Sequence, residues 1–200
     1  MGLGVNVKTA LLLIDIQQAF DDASWGKRNN LEAEENAGRL LEFWRKTNQP
    51  IIHVRHHSSD KNSLLHVSND GSDFKSIVEP IEDELVVTKS VNSAFIGTNL
   101  EGYLRKENIK TLVICGLTTP HCVSTTTRMA ANLGFKVLLV EDAIAAFEVN
   151  SQTLWLAEPD KKLSDPEFIH QMALAQLSEE FATIVTCDEM MDMDLVLNAR

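Results

Sequence analysis

Three residues of the 200-residue chain form a set that can do chemistry: Asp15, Lys89 and Cys122. Asp15 ends the apolar run TALLLI, Lys89 follows LVVT, and Cys122 follows the run TLVIC and the turn GLTTPH. Taken alone, each has an ordinary role: a turn-capping acid, a solvated lysine, a small core thiol. Together they make a supported nucleophile. A thiol at a helix N-terminus feels the positive end of the helix dipole, and a close ammonium favours thiolate by roughly 1–3 further pKa units. A carboxylate beside both can take the thiol proton and hand it to a leaving group. Cys115, inside TLVIC, and Cys187, followed by Asp188 and Glu189, lack this setting. Cys122 is therefore the expected nucleophile, with a thiol pKa well below the free value of about 8.5.

The elements that position these residues alternate. Thr9–Ile14, Ile51–Val54, Leu85–Thr88, Thr111–Cys115, Lys136–Val140 and Thr183–Val185 read as strands. Leu31–Thr47, Asn99–Glu107, His121–Leu133, Pro166–Leu177 and Glu189–Leu197 read as helices, with apolar residues at helical spacing. Near-continuous apolar strands alternating with helices predict a single doubly wound α/β/α domain over residues 1–200, with a six-stranded, mainly parallel sheet. Such sheets place sites beyond the carboxyl ends of their strands, where all three residues fall. The segments Phe20–Asn30, Ser58–Glu84 and Ser151–Asp165 lack clear periodicity and are candidate lids or binding loops. Leu154 and Trp155 give the last one something to pack with.

Composition narrows the partners. With 18 basic and 29 acidic residues the net charge is −11, which disfavours nucleic acid and anionic membranes. No apolar run approaches the roughly 20 residues of a membrane span. The beginning of the chain lacks a basic stretch followed by a long apolar one, so a reducing cytoplasm with free thiols is expected. The three cysteines match no zinc-ligand spacing.

The stretches LLLIDIQQAF (11–20), VVTKSVNSAF (86–95) and CGLTTPHCVSTTTRMAANLGF (115–135), in this order and at these spacings, resemble the isochorismatase-like cysteine hydrolases. That family includes nicotinamidase, N-carbamoylsarcosine amidohydrolase and ureidoacrylate amidohydrolase. The resemblance spans nearly the whole chain. It implies an Asp15–Lys89–Cys122 triad, a Rossmann-like fold, and assembly as a homodimer or homotetramer; no cofactor is expected. It also implies a cis peptide between Leu117 and Thr118, aiming the Thr118 N–H, with the Cys122 N–H, at a developing oxyanion. The activity implied is hydrolysis of a C–N bond in a small amide, ureido or carbamoyl substrate through a thioester.

His53, His56, His57 and His66 invite a metal reading, since nicotinamidases place an Asp-x-His pair and further histidines around a divalent ion. Here Arg55 stands where that Asp would be, so no metal is expected. His53 is read as a core histidine, and His56 and His57 as pocket or rim residues. Phe20, Trp25, His57, Phe95 and His121 are candidate pocket residues. Arg28 and Asn29 could bind a carboxylate or carbonyl, and Asn30 reads as a helix cap. The siderophore enzymes that cleave the isochorismate vinyl ether generally lack the cysteine, which favours C–N cleavage here. The alternatives are an isochorismatase-type hydrolase of another small substrate, or a thiol-reactive or non-catalytic binding protein of the same fold. Surfaces around Leu154–Leu156 and the C-terminal segment are candidates for self-association.

Overall fold

The structure is a computed structural model that describes residues 8–150 and 161–198. Six strands form one sheet: β1 (Lys8–Ile14), β2 (Ile51–His56), β3 (Leu85–Lys89), β4 (Ile109–Leu117), β5 (Lys136–Ala145) and β6 (Thr183–Val185). Their order is β3-β2-β1-β4-β5-β6, and every adjacent pair is parallel. The strand order reverses between β1 and β4, the switch point where doubly wound sheets open a crevice.

Helices cover both faces. The pleat of β1 sends Leu11 and Leu13 to one side, where they pack with Leu40, Leu41 and Trp44 of α1 (Ala33–Lys46) and Met190 of α5 (Cys187–Asn198). Ala10, Leu12 and Ile14 face the other side. They meet Leu100 and Leu104 of α2 (Leu100–Lys106), Ala130 of α3 (Ser124–Asn132), and Leu174 and Leu177 of α4 (Pro166–Leu177). Strands buried on both faces explain why their sequences read as unbroken apolar runs rather than alternating ones. Each fully buried large side chain contributes about 2 kcal/mol of transfer free energy. Among the described residues, no helix is long and apolar enough to cross a membrane.

Local chemistry sets the element ends. Glu34 and Glu35 lie in the first turn of α1 and Arg45 and Lys46 in its last, each complementing the helix dipole. Asn30 does not cap this helix. At φ 39° its side-chain amide instead donates to the Glu141 and Ile144 carbonyls at 2.8 Å, tying the loop to β5. β5 also runs five residues past the expected Val140, to Ala145, through the half-buried Glu141 and Asp142. The Asp142 carboxylate accepts the Cys187 N–H at 2.8 Å and so anchors the start of α5. Residues 58–84 carry short 3-10 turns at Asp70–Ser72 and Ser76–Val78. The candidate surface around Leu154–Leu156 lies outside the described residues.

Candidate active site

The carboxyl ends of β1, β2, β3 and β4 converge on one rim. Asp15 follows β1 in the left-handed region (φ 51°), unusual for a residue other than glycine, and its side chain is buried. Lys89 ends β3, directly opposite His56 of β2 in the parallel register. Gln17 locks the end of β2: its amide nitrogen donates to the His56 carbonyl at 3.1 Å, and its amide oxygen accepts the His56 N–H at 2.8 Å. β4 reaches Gly116 (φ 126°) beside Ile14, where a Cβ would lie 2.0 Å from the Ile14 carbonyl oxygen. Only glycine allows β4 to run this close to β1. The Leu117–Thr118 peptide after it is cis. A single turn of π-helical bonding, Thr119–Val123, then carries Cys122 into α3.

The Lys89 ammonium sits at the centre. It donates to Asp15 Oδ2 at 2.6 Å, to His56 Nδ1 at 3.2 Å and to Cys122 Sγ at 3.3 Å. The Cys122 thiol also lies 3.7 Å from the side-chain oxygen of the exposed Asn92. Asp15 Oδ1 is buried with no hydrogen-bond partner among the described residues. A carboxylate oxygen left this way is a ready proton acceptor.

Burial raises the Asp15 pKa against the lowering effect of Lys89, which strengthens it as a base. Burial and the Asp15 charge push the Cys122 thiol up to about 12, despite Lys89. This reverses the expectation of a depressed thiol pKa. The Lys89 ammonium lies closer to Asp15 (2.6 Å) than to the sulfur (3.3 Å), so its pull on the thiol proton is outweighed by burial and the Asp15 charge. Cys115 and Cys187 are fully buried, and burial raises both thiols, Cys187 to about 11. His56 is lowered to about 4, by burial, then by the charges of Lys89 and His57, so its imidazole is neutral beside the ammonium.

An isochorismatase domain model matches residues 9–189. The chain belongs to the isochorismatase family. It is 49% identical over 185 residues to the uncharacterized isochorismatase family protein YrdC of Bacillus subtilis, covering 92% of this chain and 95% of that one. The structure of an isochorismatase-family protein from Chromobacterium violaceum superposes with a TM-score of 0.85 at 38% identity, covering 96% of this chain and 95% of the other. Nicotinamidase 3 of Arabidopsis thaliana is 28% identical, covering 90% of this chain and 86% of that protein. The protein is a hydrolase of this family.

In this isochorismatase-family chain, Thr118 is buried one residue beyond β4, and Leu117 packs with an aromatic group of Phe20, Phe147 and Trp25. The Phe20 and Trp25 rings lie 4.6 Å apart, and the Trp25 indole N–H donates to the Ala19 carbonyl at 2.8 Å. Phe95 stacks on Phe135 within the core. His121 is exposed beside Cys122, its Nδ1 3.4 Å from the Asn150 side chain. His57 is half-buried, and its N–H donates to the Lys89 carbonyl at 2.8 Å. His53 is a buried core histidine whose Nε2 meets Glu84 Oε2 at 2.8 Å.

The structure brings to the thiol one residue that the sequence reading missed, Asn92, and sets His56, read as a pocket or rim residue, against the Lys89 ammonium. Arg28 is drawn into a bidentate pair with Glu34 (2.7 and 2.8 Å), in a surface cleft of about 460 Å³ that Lys75 also lines. Asn29 accepts the Ala146 N–H at 2.8 Å, so both residues are engaged in structural bonds. The residues do not fit a nicotinamidase-type ion. Arg55 supplies no ligand and donates to Thr88 Oγ1 at 3.0 Å, and His66 Nδ1 already meets Ser68 Oγ at 2.8 Å. Among the described residues, Asp15, His56 and Cys122 form the one set of three such side chains with ligand atoms within 4.8 Å of one another, and the Lys89 ammonium bonds to all three.

Proposed function

We propose that the protein hydrolyses a C–N bond in a small amide, ureido or carbamoyl substrate, with Cys122 as nucleophile and Asp15 and Lys89 as its support. The observation that carries this reading is the continuous chain of contacts from Asp15 through Lys89 to Cys122, at 2.6 and 3.3 Å. The relative named a nicotinamidase supports amide chemistry.

The reaction begins with a neutral thiol and an Asp15–Lys89 ion pair. The substrate carbonyl oxygen faces the Thr118 and Cys122 N–H groups. The wide turn supports this role, because the Thr118 carbonyl accepts from the His121 and Val123 N–H groups (3.2 and 3.3 Å) and passes over that of Cys122. As Sγ attacks the carbonyl carbon, its proton moves to the unpartnered Asp15 Oδ1. The Lys89 ammonium steadies both the sulfur and the carboxylate while charge shifts between them. Collapse of the tetrahedral adduct sends the proton from Asp15 to the departing nitrogen. Ammonia or an amine leaves, and a thioester remains. Asp15 then takes a proton from water as it attacks the thioester, the acid leaves, and Cys122 recovers its proton.

The test is a panel of small amides, ureido acids and carbamoyl compounds, nicotinamide among them, assayed for ammonia release. Turnover should fall by on the order of 10⁴-fold or more in Cys122→Ala. Turnover that survives this substitution would exclude the thioester route.

A further inference from the structure

An ammonium group has three N–H donors. Lys89 has three acceptors arranged around it: Asp15 Oδ2 at 2.6 Å, His56 Nδ1 at 3.2 Å and Cys122 Sγ at 3.3 Å. Its side chain is fully buried, so each donor left without a partner would carry a desolvation cost. Two of the acceptors change during the reaction just proposed, because Asp15 gains and loses a proton and the sulfur becomes a thioester. His56 is the acceptor that stays constant.

From this geometry we propose that His56 is a positioning residue: its neutral imidazole accepts from the Lys89 ammonium through Nδ1 and holds that charge aimed at the thiol while Asp15 and Cys122 exchange a proton. The inference rests on the triad reading and deepens it. His56 is itself built into place. Gln17, buried and two residues after Asp15, bonds to the His56 backbone on both sides and also donates to the Ser72 carbonyl at 2.7 Å. The register of β2 against β3 sets His56 opposite Lys89. The ionisable groups facing the imidazole are Lys89, Asp15, Cys122 and the neighbouring His57. With Nδ1 accepting, the ring carries its proton on Nε2.

His56→Leu removes the acceptor and fills the space that a water would need. His56→Asn places an amide oxygen near the position of Nδ1. The readout is the rate of Cys122 alkylation by iodoacetamide across pH 6 to 10, quantified by peptide mass spectrometry, which follows the thiolate fraction and needs no substrate. With one ammonium donor unpaired, His56→Leu should label about tenfold more slowly than the wild type at each pH. His56→Asn should recover most of that rate. A packing role alone would give no such rescue. A second measurement uses the unaltered protein: ¹⁵N NMR of the histidine rings at pH 7 should show His56 neutral with Nδ1 unprotonated.

Asp15→Asn serves as the control for the underlying reading, since loss of that negative charge should accelerate labelling. If Asp15→Asn does not accelerate it, the triad reading fails and the inference falls with it. If it does, but His56→Leu labels like the wild type or His56 carries its proton on Nδ1, the role of His56 alone is overturned.

Discussion

Substituting Asp15 by asparagine should move two observables in opposite directions. Asparagine keeps the size of the side chain and tolerates the left-handed backbone found here, φ 51°. What it removes is a negative charge whose oxygen lies within 4.8 Å of Cys122 Sγ. At an effective dielectric of about 20, two unit charges at this separation interact by about 3.5 kcal/mol. That corresponds to roughly 2.5 pKa units on the thiol before solvent screening. The partial exposure of Cys122 screens part of it, so a fall of about 1–2 units from the raised value near 12 is expected. Lys89, freed from its 2.6 Å contact with the carboxylate, adds to the fall. The Asp15→Asn variant should therefore alkylate about 10- to 100-fold faster at neutral pH, while amide turnover drops by on the order of 10⁴-fold because no group remains to carry the proton. The assay pairs timed iodoacetamide labelling with ammonia release on one preparation. Slower or unchanged labelling would refute the reasoning, because it would mean that the Asp15 charge does not act on the thiol.

Three further outcomes follow from the same geometry. Gly116→Ala puts a Cβ 2.0 Å from the Ile14 carbonyl oxygen at φ 126°, so β1 and β4 must separate next to Asp15; urea unfolding should show a loss of about 2–5 kcal/mol, with turnover falling by about 100-fold or more in whatever remains folded. Burial opposes ionisation of Glu84, but hydrogen bonds from Arg45, the Ile81 N–H and His53 outweigh it and lower its pKa from 4.5 to about 2. A carboxyl depressed on folding contributes stability that is present above pH 4.5 and lost as pH falls towards 2. Glu84→Gln should thus cost at most about 3 kcal/mol at pH 7, with the gap to the wild type closing between pH 4.5 and 2 in unfolding titrations. Treatment with EDTA should leave turnover unchanged, and a loss restored by zinc or manganese would overturn the reading of Arg55 as incompatible with an ion.

Where the sequence was legible, one physical rule governed it. Ala10–Ile14 of β1 and Leu112–Cys115 of β4 read directly as strands because burial on both faces leaves only apolar side chains. The same rule concealed the last five residues of β5, where Glu141 and Asp142 interrupt the apolar run. These two are half-buried and Asp142 accepts a backbone N–H from α5, a long-range bond that no local pattern announces. Asp15, Lys89 and Cys122 could be found by inspecting strand ends. His56 could be read as a pocket or rim residue, but its contact with Lys89 could not, because the register of β2 against β3 sets it. Phe95 lies close to Lys89 in sequence, yet packs inward on Phe135. The direction of the thiol shift was not legible. Charge types can be read from a sequence, whereas the depth of burial and the pairing of Lys89 with Asp15 are tertiary facts.

The central claim is that the acyl group of the substrate is carried on Cys122. An amide that the wild type turns over should be mixed with enzyme, quenched in acid within milliseconds to seconds, and the protein digested and weighed. The account predicts an added mass equal to the acyl group on the peptide that bears Cys122, absent from the Cys115 and Cys187 peptides and from Cys122→Ala. Steady ammonia release with no acyl mass on Cys122 at any quench time, together with full turnover by Cys122→Ala, would contradict it.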